Sequence, residues 1–534
     1  MGLADWFLTP DERGNPATEI DRRHPDGAAW TEGNHVEVLV DGVEYFARLY
    51  EVLCSLQPND SVYFTDWEGD ADQRLHGPGT EIGLVLADLA RRGVHVRGLL
   101  WRSHPRQAHF AEQSNLGLTK AVDEAGGEIM LDERVRRDGS HHQKLVVVRR
   151  AATPNDAVAF EGGIDLCHGR HDDAKHDGSH QAVELAPRYG PTPPWHDIQL
   201  EVRGPAVGDL EYSFRERWND PAPLDHRNPW RRASRIFSRQ PRHTEPLPPM
   251  GDDPPPLGNH AVQVVRTYPA KRPPYPFAPD GERSIARAYL KAFRRARRVV
   301  YFEDQYLWSQ DAALALADAL RRDPDLRVVG VVPRFPDRAG RATGEPSRWG
   351  RERVIEILRR AGGERVAVYD LENPDLTPIY VHAKVCVVDD VWLMVGSDNL
   401  NRRSWTHDSE LSCSVIDATP DERAPADPAG LGDGARRLAR ETRLRLWREH
   451  LGRDDADDAD LVDPVNGFEV LAQSAAALDA WHGGGRQGPR PPGHLRRHAP
   501  QPVSASARWW AAAMYRIVLD PDGRSRRLRR TETL

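Results

Sequence analysis

The sequence predicts an α/β protein built from two homologous halves, each a mixed β-sheet flanked by helices. Three observations predict it. Strand-like runs alternate with helical stretches through most of the chain. One short motif, a histidine and a lysine two residues apart on a β-branched run, occurs twice, as SHHQKLVVV with His142 and Lys144 and as VHAKVCVVDD with His382 and Lys384. The elements ahead of each copy also keep register, since Phe64 precedes His142 by 78 residues and Phe302 precedes His382 by 80.

Taken in order, the first half opens near Asn34 with HVEVLVDG as a strand, followed by EYFARLYEVLCSL, whose Tyr45, Leu49, Leu53 and Leu56 recur at helical spacing. SVYFTDW, GVHVRGLLW and EIMLDERV read as strands, separated by helices around Glu81 to Arg91 and Ala108 to Ala125. The second half repeats the order: a helix from Ser284 to Arg297, RVVYFEDQYLW as a strand, a helix from Asp311 to Arg322, LRVVGVVPRF as a strand, a helix from Arg351 to Arg360, then ERVAVYD and the second motif. The expected organisation is a first half over 1–219, a connector over 220–260, a second half over 261–450 and an extension over 451–534. The connector carries DPAPLDHRNPW and EPLPPMGDDPPPLG, too rich in proline for central strands or helix interiors.

Composition bounds the function. At 534 residues, with 39% hydrophobic and 29% charged residues, the chain has ample material for a soluble core. It has no apolar run of bilayer length, and MGLADWFLTPDERG lacks the features of a secretory leader. With Cys54, Cys167, Cys386 and Cys413 dispersed, a cytoplasmic protein with reduced thiols is expected. A net charge of -8 argues against a general nucleic-acid binder.

The second motif is the richer one. Side chains two apart in an extended run share a face, so His382 and Lys384 project together, and Asp389 closes the run. The following GSDN adds Gly396, which permits close backbone approach, and the polar Ser397 and Asn399. In the first half the corresponding stretch holds Gly162, Gly163 and Asp165. A nucleophile, a cation and hydrogen-bonding groups in one place suit a phosphoryl group. The lysines sharpen this: the chain has six, against 67 arginines, and two of the six stand in the motifs. A compact ammonium and a forked guanidinium are not equivalent at a crowded phosphate.

The paired HxKxxxxD and GSxN pattern resembles the phospholipase D superfamily, and GGIDLCHGRHDD with PWHDIQLEVRGPAV resembles its phosphatidylcholine-type members, over roughly Asp5 to Asp417. The resemblance implies one active site where two phospholipase D-type halves meet. It implies His142 as the nucleophile and His382 as the general acid and base, with Asp197 behind His382 and Glu410 behind His142, so that His382 begins protonated. Lys144 and Lys384 would clamp the non-bridging oxygens, Ser397, Asn399 and Asp165 would contact the phosphate, and Asp389, Gly162, Gly163 and Gly396 would be structural. Trp67, Trp101, Arg102, Tyr275, Tyr306 and Trp308 would rim the pocket. The chain departs from the family pattern at Arg149, where the first motif should end in Asp, and at Asp165, where many relatives have Asn.

No cofactor is expected, and His168, His171, His176 and His180 match no standard zinc spacing, so no metal is assigned. The expected partner is a phospholipid, with peripheral membrane contact through the basic tail, no nucleic acid, and a monomeric state. That tail, from Arg486 to Arg530, carries 11 arginines and reads as solvated, with Trp509 and Trp510 beside Arg508 suited to a lipid surface. The expected activity is headgroup hydrolysis or transfer through a phosphohistidine. The alternatives are a cardiolipin-synthase-like phosphatidyltransferase, a nuclease of the same superfamily, or a silent lipid-binding scaffold.

Overall fold

The computed structural model describes residues 2–24, 26–102, 112–224, 244–337, 341–454, 458–531 and 534. Its first sheet contains β1 (Thr31–Val40), β2 (Ser61–Asp66), β3 (His95–Trp101), β4 (Glu128–Asp132), β5 (Leu145–Arg149), β6 (Val158–Gly162) and, beyond the two-residue β7 (Trp195–His196), β8 (Ile198–Arg203). The spatial order is β4-β3-β2-β5-β6-β8-β1, parallel through β4, β3 and β2 and antiparallel thereafter. The second half supplies β9 (His260–Tyr268), β10 (Glu282–Arg283), β11 (Val299–Glu303), β12 (Arg327–Val331), β13 (Val366–Glu372), β14 (Pro378–Val381), β15 (Val385–Val388), β16 (Trp392–Gly396) and β17 (Glu410–Asp417). Its order, β13-β12-β11-β15-β16-β17-β9, reproduces the first strand for strand and direction for direction. The sheets join at one edge, where Thr31 pairs with Val262 and Asn34 with His260.

Alternation along the strands distributes the core. Val147 of β5 and Val385, Val387 and Leu393 of the second sheet share one buried cluster with Phe214, Trp218, Leu444 and Trp447, from the helices Ala206–Trp218 and Arg437–Leu451. The opposite faces pack on separate outer helices: Val146 and Val148 on Asp41–Cys54, Ile82–Arg91 and Glu112–Asp123, and Cys386 and Val388 on Ser284–Arg295 and Gln310–Arg322. Two sheets thus face each other across a common core, with a helical layer outside each.

The structure departs from the sequence reading in several places. β11 stops at Glu303 instead of running to Trp308, because the Asp304 carboxylate accepts the Tyr306 and Leu307 N–H groups and turns the chain. The helix expected from Arg351 runs from Arg341 to Gly362 and takes in Pro346. Neither motif pair lies within a regular strand: His142 to Lys144 immediately precede β5, and His382 to Lys384 link β14 to β15. Of the connector, 225–243 lies outside the described residues, while 244–259 is irregular and held to the surface, with Trp218 Nε1 donating to the Glu245 carbonyl at 2.6 Å. The tail is not simply solvated. Leu495–Arg497 forms β18, which pairs with β13, and Tyr515 and Asp520 are buried.

Asp389, buried at the end of β15, accepts the N–H groups of Arg297, Arg298 and Val299, each at 2.8 Å, and so fastens β11 to the motif strand. In the first half Arg149 takes its place and instead forms an ion pair with Glu211 on the helix Ala206–Trp218. Losing an acceptor shared by three N–H groups costs about 1 kcal/mol for each. Asp389→Ala is therefore expected to lower the unfolding free energy by about 3 kcal/mol in a urea titration.

Candidate active site

The motif segments leave regular pairing because each is bonded to the other half. His142 N–H donates to the Ser409 carbonyl at 2.9 Å, and the N–H groups of His382 and Ala383 donate to the His196 carbonyl at 2.8 and 3.1 Å. β7 and β14 run parallel at the second crossing, with Tyr380 opposite Trp195. Ser409 precedes Glu410 and His196 precedes Asp197, so each crossing delivers a carboxylate to the ring it secures.

His142 Nδ1 lies 2.8 Å from Glu410 Oε2, and His382 Nδ1 lies 2.6 Å from Asp197 Oδ2. Each ring is thereby oriented from behind, and its Nε2 is left for chemistry. The carboxylates are held differently. Asp197 accepts from Trp195 Nε1 at 3.1 Å and from the Ile198 N–H at 3.0 Å, whereas Glu410 accepts the Ser397 hydroxyl at 2.6 Å. Gly163 stands where the second half has Ser397, and a Cβ there would meet Asp197 Oδ1 at 2.1 Å.

Lys144 and Lys384 are both buried. Lys144 Nζ donates to the His142 carbonyl at 3.0 Å and lies 3.4 Å from Asp165 Oδ1, and Lys384 Nζ donates to the His382 carbonyl. Burial and the two lysines hold His142 well below the usual imidazole range, and burial with Lys384 brings His382 down to about 3. Both shifts favour the neutral rings and run against an initially protonated His382. Burial also lowers Lys384 to about 8, while burial and Asp408 raise Glu410 to about 8.

Two expected phosphate contacts have other duties. The Ser397 hydroxyl is committed as a donor to Glu410 and as an acceptor from the Leu411 N–H at 3.1 Å, so it positions a carboxylate. Asp165 is an anion held below its ordinary range, against the effect of burial, by Lys144 and Arg170, and it accepts the Trp67 N–H at 3.2 Å. Such a carboxylate repels phosphate and anchors the lysine instead. Asn399 can meet the expectation only through its side-chain N–H groups, since its buried Oδ1, which has no hydrogen-bond partner among the described residues, is an acceptor. Gly396 is required for close packing, as a Cβ there would lie 1.9 Å from Ser412 Oγ. Trp67 stacks on Trp101 at 5.6 Å and Tyr306 on Trp308 at 4.2 Å, but Tyr275 is fully buried against Tyr268 and Phe277. Arg102 pairs with Glu112 at 3.0 Å.

Arg170 is a residue that the sequence reading quoted within GGIDLCHGRHDD but gave no role. Its guanidinium lies 4.1 Å from the Trp195 ring centre and 3.6 Å from Asp165 Oδ2, while Trp195 packs on His382 at 5.0 Å. Its place after the glycine pair was the available signal. A cavity of ≈ 720 Å³ lined by Arg188, Arg334, Arg348 and Phe335 does not contain the histidines. Tyr189 and Tyr380, 5.3 Å apart, stand between it and the Trp195–His382 pair.

Of the four histidines, His171 and His180 pack edge to face at 5.2 Å, and among the described residues His176 alone of them joins a donor set, with Asp41, His196 and Glu449. His176 Nδ1 lies 3.1 Å from the Trp195 carbonyl and His196 Nε2 lies 2.7 Å from Glu303, so each ring can donate its far N–H and turn a lone pair inward. The inward atoms, His176 Nε2 and His196 Nδ1, are 3.3 and 3.1 Å from Glu449 Oε1, and His196 Nδ1 is 3.0 Å from Asp41 Oδ1. These separations approach the edge of about 3.3 Å expected of tetrahedral ligands, and mixed imidazole and carboxylate donors suit zinc or a similar divalent ion.

A family model described as Phospholipase D matches residues 71–246 and 369–497, more than half of the chain, and one described as Cardiolipin synthase, PLD-like domain, matches 289–422. Phospholipase D alpha 1 of Arabidopsis thaliana is 27% identical over 519 aligned residues, covering 74% of this chain and 62% of the relative. The enzyme of the same name from Cynara cardunculus is 26% identical, covering 82% and 67%. Against the Arabidopsis relative, the chain thus spans about three fifths of the length. Among solved structures, the phosphatidylserine synthase of Haemophilus influenzae Rd KW20 is 14% identical, covers 72% of this chain and 82% of its own, and gives a TM-score of 0.49.

If the buried donor set takes a divalent ion, added zinc is expected to raise the melting temperature of the chelator-treated protein and to leave that of Glu449→Gln unchanged. An equal response of both proteins in differential scanning fluorimetry would exclude the set as the zinc site.

Proposed function

The chain belongs to the phospholipase D family, and on that premise we propose that it is a phosphodiesterase that releases the headgroup of glycerophospholipids through a covalent phosphohistidine. The observation that carries the reading is the crossed pairing of two histidines with carboxylates from opposite halves around two buried lysines. A phosphodiester is a poor electrophile whose charge repels anionic nucleophiles, so a neutral imidazole is a fitting attacker and divides one hard step into two.

With its Nδ1 proton toward Glu410, His142 presents the Nε2 lone pair to phosphorus. As the N–P bond forms, the ring becomes cationic, and that adjacent positive charge drives the proton of Glu410 to solvent, so that the carboxylate left behind stabilises the ring. The leaving oxygen needs a proton, and His382 is placed to give it. The substrate itself makes this proton available: a phosphate anion between Lys144 and Lys384 offsets the field that keeps His382 neutral, and its pKa rises towards the working range. Ionised Asp197 supports the imidazolium. In the second step His382 takes a proton from water or an alcohol, which attacks phosphorus and releases His142. The lysines neutralise the non-bridging oxygens throughout, and Asn399 supplies a hydrogen bond from the second half.

Phosphatidyl transfer to an alcohol carried by another lipid is a second reading, favoured by the cardiolipin-synthase-like match over 289–422. It shares the intermediate and differs in the acceptor. We place the protein as a monomer in the cytoplasm, at the membrane periphery. No helix among the described residues is long and apolar enough to cross a membrane.

Two outcomes are expected. With a nitrophenyl phosphodiester, whose leaving group needs no proton, His382→Ala should still form a phosphoenzyme and His142→Ala none. Rapid quench and peptide mapping would decide this, and phosphate on His382 would reverse the roles. Because Lys384 loses its proton as the pH rises through about 8, kcat/KM should fall above that value. A profile that stays flat well into the alkaline range would remove the lysine from the proposed role.

A further inference from the structure

Helix Arg508–Met514 continues into a π-turn over Tyr515–Leu519, and the combined segment has two unlike sides. On one side Ala511 and Tyr515 are buried. Trp349 stacks obliquely on Tyr515 at 5.0 Å, and the Tyr515 hydroxyl lies 2.6 Å from both the Trp308 carbonyl and Asp520 Oδ2. On the other side Trp509, Ile517 and Val518 are 85%, 73% and 44% exposed, and together they make up three of the seven large hydrophobic side chains exposed among the described residues. Positions 509, 513 and 517 recur every four residues, which aligns Trp509, Ala513 and Ile517 along one stripe.

Along the segment itself, from 508 to 518, the only charged side chains are arginines. Arg508 and Arg516 are exposed, with the Arg516 guanidinium 5.9 Å from the Trp349 ring centre at the edge of the segment, and no aspartate or glutamate occurs between Asp479 and Asp520. In a protein of net charge -8, that is a local reversal. An exposed indole and aliphatic side chains bordered by guanidinium groups match the region where a bilayer passes from acyl chain to anionic headgroup.

The segment is also fixed to the candidate active site. Arg403 N–H donates to Asp520 Oδ1 at 2.8 Å, Gly523 N–H to Thr406 Oγ1 at 2.9 Å, and Arg136 Nη1 to the Gly523 carbonyl at 2.7 Å. Residues 401–408 lead directly to Ser409 and Glu410, and Asp408 Oδ1 accepts the Ser140 N–H at 2.9 Å, two residues before His142. A surface clamped in this way has a set position relative to the reacting histidines.

We propose that the outward face of 508–518, formed by Trp509, Ile517, Val518, Arg508 and Arg516, docks the protein on anionic phospholipid bilayers. The proposal rests on the phospholipase reading only for its biological sense, because docking is measured without turnover. The test is co-sedimentation of full-length His142→Ala protein with phosphatidylcholine vesicles, with and without phosphatidylglycerol. The unaltered face should bind the anionic vesicles, Trp509→Ala with Ile517→Ala should reduce partitioning on the order of tenfold, and Arg508→Glu with Arg516→Glu should abolish the preference for anionic lipid. In the otherwise wild-type protein, neither pair should alter turnover of a short-chain phospholipid below its micellar concentration. Equal partitioning of all variants, or no binding by the unaltered face, would overturn the proposal. So would a shift from dimer to monomer on Trp509→Ala in sedimentation velocity, which would assign the face to a second copy. Absence of turnover of the soluble substrate would instead count against the phospholipase reading and leave the docking result standing.

Discussion

The structure depends on an exchange: neither histidine is oriented by its own half. Glu410 reaches His142 and Asp197 reaches His382, and the backbone bonds that deliver these carboxylates also pull each motif out of its own sheet. The two sheets must therefore meet in a single register for either ring to be held. The shared core, in which Val147 of one sheet and Leu393 of the other lie in one buried cluster, sets that register without any polar choice of its own. Apolar burial aligns the halves, and the crossing bonds convert the alignment into chemistry.

The same crossing governs charge. Two ammonium groups buried next to two imidazoles would be costly if all four carried protons, and the site avoids this by leaving both rings neutral. Asp165 and Arg170 extend the arrangement: the carboxylate lies 3.4 Å from the Lys144 ammonium and helps place it, and the guanidinium stands 3.6 Å from the other carboxylate oxygen.

Much of this was legible in the residues. β-branched runs such as SVYFTDW and VVYFE announced central strands, and the repeated histidine and lysine announced the duplication. Other features depend on distances that spacing does not carry. Ser397 was read as a phosphate ligand because it sits in GSDN, yet its hydroxyl answers to Glu410, thirteen residues later. The donor set of Asp41, His176, His196 and Glu449 draws on both halves, so no local pattern contains it. Tyr275 looked like a rim aromatic in a proline-rich turn, but its hydroxyl donates to the Arg134 carbonyl at 2.5 Å and the ring is sealed inside. The basic tail was read from composition alone, which does not show that Leu495–Arg497 adds a strand to the second sheet.

The mismatch between Gly163 and Ser397 bears on how such a molecule can evolve. A side chain at 163 would collide with Asp197, and a glycine at 397 would take away the hydroxyl that helps hold Glu410. Copying one half over the other would carry each pair intact, because Gly163 lies in the same half as Asp197 and Ser397 in the same half as Glu410. What the packing forbids is exchanging one member of a pair alone, so positions 163 and 197, and likewise 397 and 410, can change only together, and each half keeps its own matched couple of linker and carboxylate.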